Sequence, residues 1–294
     1  MSTILVTGAS GQLGRTVISH LLQAIPASRI IALVRDTEKV KDLSAKGVAV
    51  RTGTYDDPAS LLRAFQGVDT LFFVSASDLE KRVPQHRNVV EAAKQAGVRH
   101  VVYTSFQRKN TTATSPIAFV AEAHLRTEQW LRASGMTYTS LKNSLYMDML
   151  PMFIGDQVLQ TGTVYLPAGE GKGAYLTRGD MAEIGARVLL APGHENKEYD
   201  VTGESSVTLA DIAALIGAAS GKKIQYVSPP ADEFKKTLLG AGVPEMMVNI
   251  VTAFSVAIGQ GEFEKTNPAV STLMGRAPVS VAQYLKTVYG GGAK

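Results

Sequence analysis

The most constraining stretch lies at the start of the chain. There an apolar run, Thr3 to Thr7, passes into Gly8-Ala9-Ser10-Gly11-Gln12-Leu13-Gly14 and on into a helical period of Leu13, Val17 and Leu21. A tight strand-to-helix turn needs a residue tolerant of positive φ, a second glycine lets the backbone approach a pyrophosphate, and a third lets helix and strand pack closely. The first turn of the helix then offers unpaired N–H groups and the positive end of its dipole to an anion. Glycines can also make a tight turn and nothing more. Their place within the first 14 residues, opening a βαβ unit, favours the phosphate-binding reading.

The rhythm that begins there continues through the first half of the chain. Short β-branched runs predict strands near 3–7, 29–34, 48–52, 69–74, 99–104 and 137–141, with amphipathic helical stretches between them such as Val89, Val90, Ala93 and Ala96 closed by Gly97. Strands that are apolar nearly throughout are buried on both faces. The expected fold is therefore α/β, a doubly wound, mostly parallel Rossmann sheet with right-handed crossovers. After about residue 143 the pattern shifts to helices, short strands and glycine-containing connections such as Pro167 to Gly173, with a further break at Pro229 and Pro230. We read residues 1–150 as a nucleotide-binding domain and 151–294 as a smaller α+β substrate-binding cap, with about 178–202 interleaving with the sheet. The tail from Gly290 to Lys294 is expected to fray.

Composition narrows the function classes. A chain of 294 residues with 45% hydrophobic and 19% charged residues has ample material for a core. Lys plus Arg number 30 against 26 Asp plus Glu, and no basic run exceeds two residues, so neither a nucleic-acid nor a membrane surface is indicated. Cysteine is absent, which removes disulfides, thiolate nucleophiles and cysteine-ligated metal. The remaining histidines, His20, His86, His100 and His194, lack ligand spacing, so no metal site is expected. The opening residues have no basic segment ahead of an apolar one, and no apolar run reaches the roughly 18 to 20 residues needed to cross a bilayer. The expectation is a cytoplasmic protein acting on a small molecule; a homodimer is compatible with the sequence.

The strand ends supply further candidates. The second strand ends at Arg35-Asp36, where a dinucleotide fold commonly presents an acid to a ribose hydroxyl or a cation to a 2′-phosphate. The planar fork of Arg35 suits a phosphate dianion and favours NADP(H) over NAD(H). The alternative is a solvated arginine paired with Asp36. Ser75-Ala76-Ser77 closes the fourth strand and Thr104-Ser105 the fifth, at carboxyl ends where open α/β sheets bind ligands. Short-chain reductases place Tyr and Lys four residues apart on the helix after the fifth strand. Here the single such match, Tyr138 to Lys142, falls on a predicted strand, where that spacing spans about 13 Å rather than the roughly 6 Å it gives on a helix. The helix near Ile117 to Ala133 has neither residue, and His124 is the nearest substitute. It is either a packed histidine bonded to Glu128 or a proton source near a nicotinamide.

These segments together with Pro84-Gln85-His86-Arg87-Asn88 and Tyr138-Thr139-Ser140-Leu141-Lys142-Asn143 resemble the NmrA-like atypical short-chain dehydrogenase/reductases. Within them the chain is most similar to the NADPH-dependent quinone oxidoreductases and triphenylmethane reductases, over nearly its whole length. The resemblance implies an NADPH-dependent enzyme without the Tyr/Lys pair, with Lys142 and Asn143 contacting cofactor and Ser105, His124, Asn143 and Tyr146 as candidates for catalysis. Lys142 stands where the family often has Arg. Quinone reduction suits such a site, because hydride addition to a quinone makes a phenolate-like anion and needs only a weak donor. The rival readings are a non-catalytic NADP(H)-sensing regulator, a nucleotide-sugar epimerase, and an isoflavone-reductase-like enzyme. Tyr146, Met147, Met149, Met152 and Phe153 are spaced either to line an aromatic pocket or to fill a core.

Overall fold

Seven short strands in the first part of the chain pair side by side, all parallel, and helices fill every connection between them. In a computed structural model that describes residues 2–291, the elements run β1 (Ile4–Val6), α1 (Gln12–Ala24), β2 (Ile30–Val34), α2 (Lys41–Ala45), β3 (Ala49–Thr52), α3 (Pro58–Phe65) and β4 (Thr70–Phe73). They continue with α4 (Arg82–Gln95), β5 (His100–Phe106), α5 (Ala118–Ala133), β6 (Thr137–Asn143), α6 (Arg178–Leu190) and β7 (Lys197–Val201). The sheet order is β3-β2-β1-β4-β5-β6-β7. Strand order reverses between β1 and β4, which is where a doubly wound sheet opens its crevice.

The expected strands and helices all form, and the Rossmann-like α/β class is the one observed. Burial differs only at the rims. β1, β2 and β5 are buried through almost their whole length, whereas β3, an edge strand with one neighbour, is half-exposed. One sheet face carries Leu5, Leu33, Leu71, Phe73, Val101 and Tyr103 against Leu61, Phe65, Val89 and Ala93 of α3 and α4. Each such side chain contributes about 1.5–3 kcal/mol on burial. On the other face α6 approaches so closely that Gly185 lies against the Phe72 ring.

The chain divides into two compact units. One holds residues up to Phe106, Phe119–Asn143 and Arg178–Val201; the other holds Gln107–Ala118, Ser144–Thr177 and the chain from Thr202 onward. Residues 144–150 thus group with the second unit. That unit contains two small two-stranded sheets and the helices Leu209–Ser220, Ala231–Gly240, Glu245–Gly259 and Val281–Tyr289. Capping boxes at Thr208/Asp211 and Ser280/Gln283 start two of the helices. Buried Glu262 anchors the segment after β5 by accepting from the Lys109 and Asn110 amides, each at 2.8 Å. Of the expected frayed tail, residues 292–294 lie outside the described residues, and the Gly290 N–H still bonds the Lys286 carbonyl at 2.9 Å. No described helix is long and apolar enough to cross a membrane.

The packing of α6 yields a test. A Cβ on Gly185 would sit 2.8 Å from Phe72 Cε2, a ring locked in the core. Gly185→Ala is expected to destabilise the protein by about 1–3 kcal/mol in urea unfolding. A midpoint at or above that of the parent protein would show that the interface is looser than described.

Candidate active site

At the carboxyl ends of β1 to β4 lies a groove lined by Gly8 and Ser10, by Leu33 to Arg35, by Gly53 to Asp56, by Val74 to Asp78 and by Gln85. Its glycine turn is built to tight tolerances. Gly8 holds φ at +60°, and a Cβ on Gly14 would fall 2.5 Å from the Gly8 carbonyl oxygen. Gly11 caps α1 without any side-chain bond, and no acid occupies the first turn. The helix end therefore keeps backbone donors and its dipole for an anion.

Arg35 lines the same groove, is exposed, and enters no ion pair among the described residues. The Asp36 carboxylate instead accepts from the Glu38 N–H at 3.0 Å, capping the next turn. The arginine is thus not the solvated partner of Asp36. A cradle that excludes any Cβ, an uncapped helix start and an unpaired guanidinium together fit the phosphates of a phosphorylated dinucleotide.

The groove's walls are pinned by α4. Gln85 Nε2 donates to Asp56 Oδ1 at 3.0 Å and Asn88 Nδ2 donates to the Tyr55 carbonyl at 2.8 Å, holding the loop after β3. His86 Nε2 accepts from the Ala76 N–H at 2.9 Å, holding the loop after β4. Thr104 Oγ1 accepts from the adjacent Ser75 N–H at 2.9 Å. Two successive loop amides are therefore tied inward, away from the groove. The Tyr55 hydroxyl is also tied, 2.8 Å from the Val74 carbonyl and 2.5 Å from Thr7 Oγ1, and burial pushes its pKa up.

The sequence candidates fall in different places. Gly8, Ser10, Arg35, Ser75, Ala76 and Ser77 line it; Gly11, Gln12, Leu13 and Gly14 form the adjoining turn; Thr104 stands behind it. Ser105 gives its hydroxyl proton to buried Glu128 at 2.5 Å, leaving no free O–H for a substrate. His124 is buried, with Nδ1 2.7 Å from the Tyr103 hydroxyl. Asn143 is buried and its Oδ1 lacks a hydrogen-bond partner. Lys142 is ion-paired with Glu198 at 2.6 Å and is not among the groove-lining residues. Tyr138 and Lys142 both lie on β6, so the Tyr/Lys pair is absent from α5. Tyr146 belongs to the second unit, where it precedes a helical turn at Met147–Met149. There Met147 is fully buried while Met152 is exposed and Phe153 packs on Phe254.

Gly53 to Asp56, Asp78 and Gln85 were missed by sequence reasoning. Their signal was present: Tyr55-Asp56 follows the third strand directly, at the same sheet edge as Arg35. No group of His, Cys, Asp or Glu able to hold a metal occurs among the described residues.

The chain belongs to the NmrA-like family, whose model matches residues 1–285. It is 37% identical to quinone oxidoreductase 2 of Escherichia coli K12, covering 97% of this chain and 98% of that one. The structure of an Escherichia coli NADPH-dependent quinone oxidoreductase complexed with NADPH superposes with a TM-score of 0.91, at 37% identity over 98% of this chain and 100% of that one. A Citrobacter sp. triphenylmethane reductase gives 0.89 at 38% identity, covering 98% and 99%.

Acid stability tests the arrangement. Burial and then the nearby charge of Arg82 lower the His86 pKa from 6.5 to about 3. Between those values the unfolded chain binds a proton that the folded protein refuses, so stability falls as pH drops, by about 1.4 kcal/mol per pH unit. His100 and His194, also lowered by burial, act in the same sense. Urea unfolding from pH 6 to pH 4 is expected to show a shallower pH slope in His86→Gln. An unchanged slope would mean that His86 is already charged in the folded protein.

Proposed function

We propose that the protein is an NADPH-dependent oxidoreductase that reduces a quinone or a similar conjugated aromatic acceptor. The observation that carries the cofactor assignment is a groove lined by Gly8, Ser10 and the unpaired Arg35, with the rest of the glycine turn and the uncapped start of α1 adjoining it. When bound, the reduced nicotinamide supplies a hydride. The turn and helix start hold the diphosphate through backbone N–H groups, Arg35 holds the adenosine 2′-phosphate as a bidentate donor, and Ser75 to Ser77 form a wall kept rigid from behind by Thr104 and His86. The reductases among the relatives support the acceptor class.

An aliphatic carbonyl would yield a strongly basic alkoxide and demand a positioned acid. α5 lacks the Tyr/Lys pair that would supply it, and a quinone, driven by aromatisation, does not need one. Catalysis is then mainly proximity, helped by donors aimed at the developing oxyanion. His124 and Asn143 fill that role in this reading. Ser105 fills it only if its bond to Glu128 is released. A cytoplasmic location, where NADPH is regenerated, fits that reductant.

Steady-state oxidation of NADPH by the purified protein over a panel of quinones, dyes and enones tests the assignment. Quinones are expected to turn over with NADPH well ahead of NADH. Arg35→Ala is expected to raise KM for NADPH roughly 10- to 100-fold, the loss of one charge-assisted contact, while KM for NADH stays within about twofold. An unaltered preference would remove Arg35 from the site. NADPH binding with no turnover over the whole panel would replace the reductase with a dinucleotide-sensing protein.

A further inference from the structure

Arg15 follows the last glycine of the turn and belongs to α1, where its backbone N–H bonds the Gly11 carbonyl at 3.0 Å. Its guanidinium reaches the segment between β2 and β3. One terminal nitrogen, Nη1, donates to both Asp42 carboxylate oxygens, at 2.8 and 2.6 Å, and the other, Nη2, donates to the Lys39 carbonyl at 2.5 Å. A planar guanidinium held at both terminal nitrogens is fixed in direction, which an ordinary surface ion pair is not. These bonds hold the Asp42 carboxyl below its usual pKa, so the acceptor stays charged throughout the neutral range.

The clamped segment begins at Arg35. The Asp36 side chain caps a helical turn at Thr37–Val40, and α2 follows at once. Lys39 lies in that turn and Asp42 in the first turn of α2, so a single side chain grips both. Arg35 to Lys39 are all exposed, and from there to the end of α2 only Val40 and Leu43 are buried. A stretch with so little apolar packing takes its position from its polar bonds.

We propose that Arg15 is a positioning residue for cofactor selection: through Asp42 and the Lys39 carbonyl it locks the turn that follows Arg35 onto α1, the helix whose start binds the diphosphate. The proposal rests on the reading that Arg35 holds the 2′-phosphate. Dinucleotides with and without that phosphate use the same glycine turn, so loosening the segment after Arg35 weakens only the phosphorylated one.

Arg15→Ala and Asp42→Ala, alone and together, test this by titration of NADPH and NADH into the purified protein. Each is expected to weaken NADPH binding about three- to tenfold, with NADH binding unchanged. The double variant is expected to bind NADPH no more weakly than the weaker single variant, because both substitutions remove the same clamp. In the cofactor-free protein, the backbone amides of residues 37–43 are expected to exchange hydrogen faster in each variant than in the parent. NADPH binding or amide exchange that survives both substitutions would overturn the proposal. So would NADPH binding that weakens in Arg15→Ala yet holds or tightens in Asp42→Ala, which would make Arg15 a ligand of the phosphate itself. Equal losses for NADPH and NADH would overturn it too, since the clamp would then support α1 in general. Should Arg35→Ala abolish the preference for NADPH while Arg15→Ala leaves it, the clamp falls and the cofactor reading stands. A parent protein that binds NADPH no more tightly than NADH would overturn both.

Discussion

Everything in the first unit depends on how closely α1 can come to the end of β1. With no Cβ at Gly14, the helix backbone packs against the Gly8 carbonyl and the Thr7 carbonyl, closer than any other residue would allow. That approach points the start of α1 at the reversal of strand order, the position where a sheet of this topology has room for a ligand. A helix set back by one methyl group would leave its free amides too far from a phosphate to bond it.

The remaining walls of the groove are polar loops, and loops of this kind need anchoring. The protein anchors them from one helix. Gln85, His86 and Asn88, three residues within a single turn and a half of α4, each bond a different backbone or carboxylate group in the loops after β3 and β4. The same helix contributes Val89, Val90 and Ala93 to the core, so the polar anchors inherit the rigidity of the apolar packing beside them. This explains why a short polar motif sits on a helix whose other face is buried.

The fold was legible in the sequence because a parallel sheet covered on both faces writes its strands as apolar runs. The glycine turn and Arg35 were legible because their chemistry is local. What was not legible depended on direction in space. Lys142 lies beside Asn143, yet strand alternation sends successive side chains to opposite faces, and the ammonium finds Glu198 on the neighbouring strand. Ser105 looked like a free hydroxyl until Glu128, far along the chain on α5, proved to hold its proton. His86 was visible as part of a motif but scattered in sequence from its partners Ala76, Tyr103 and Thr127. The groove residues Gly53 to Asp56 follow β3, the least apolar of the first five strands, where the sequence signal was weakest.

The central claim is that the Gly8–Gly14 turn and Arg35 together grip NADPH. It is tested most directly by titrating NADPH into the nitrogen-15-labelled protein and following the backbone amides of Gly11 to Gly14 and the Arg35 guanidinium. The account predicts saturable shifts of these signals at one equivalent, with the Arg35 response absent when NADH replaces NADPH. Saturation by NADPH that leaves the turn and Arg35 unmoved, or no uptake of NADPH at all, would contradict it.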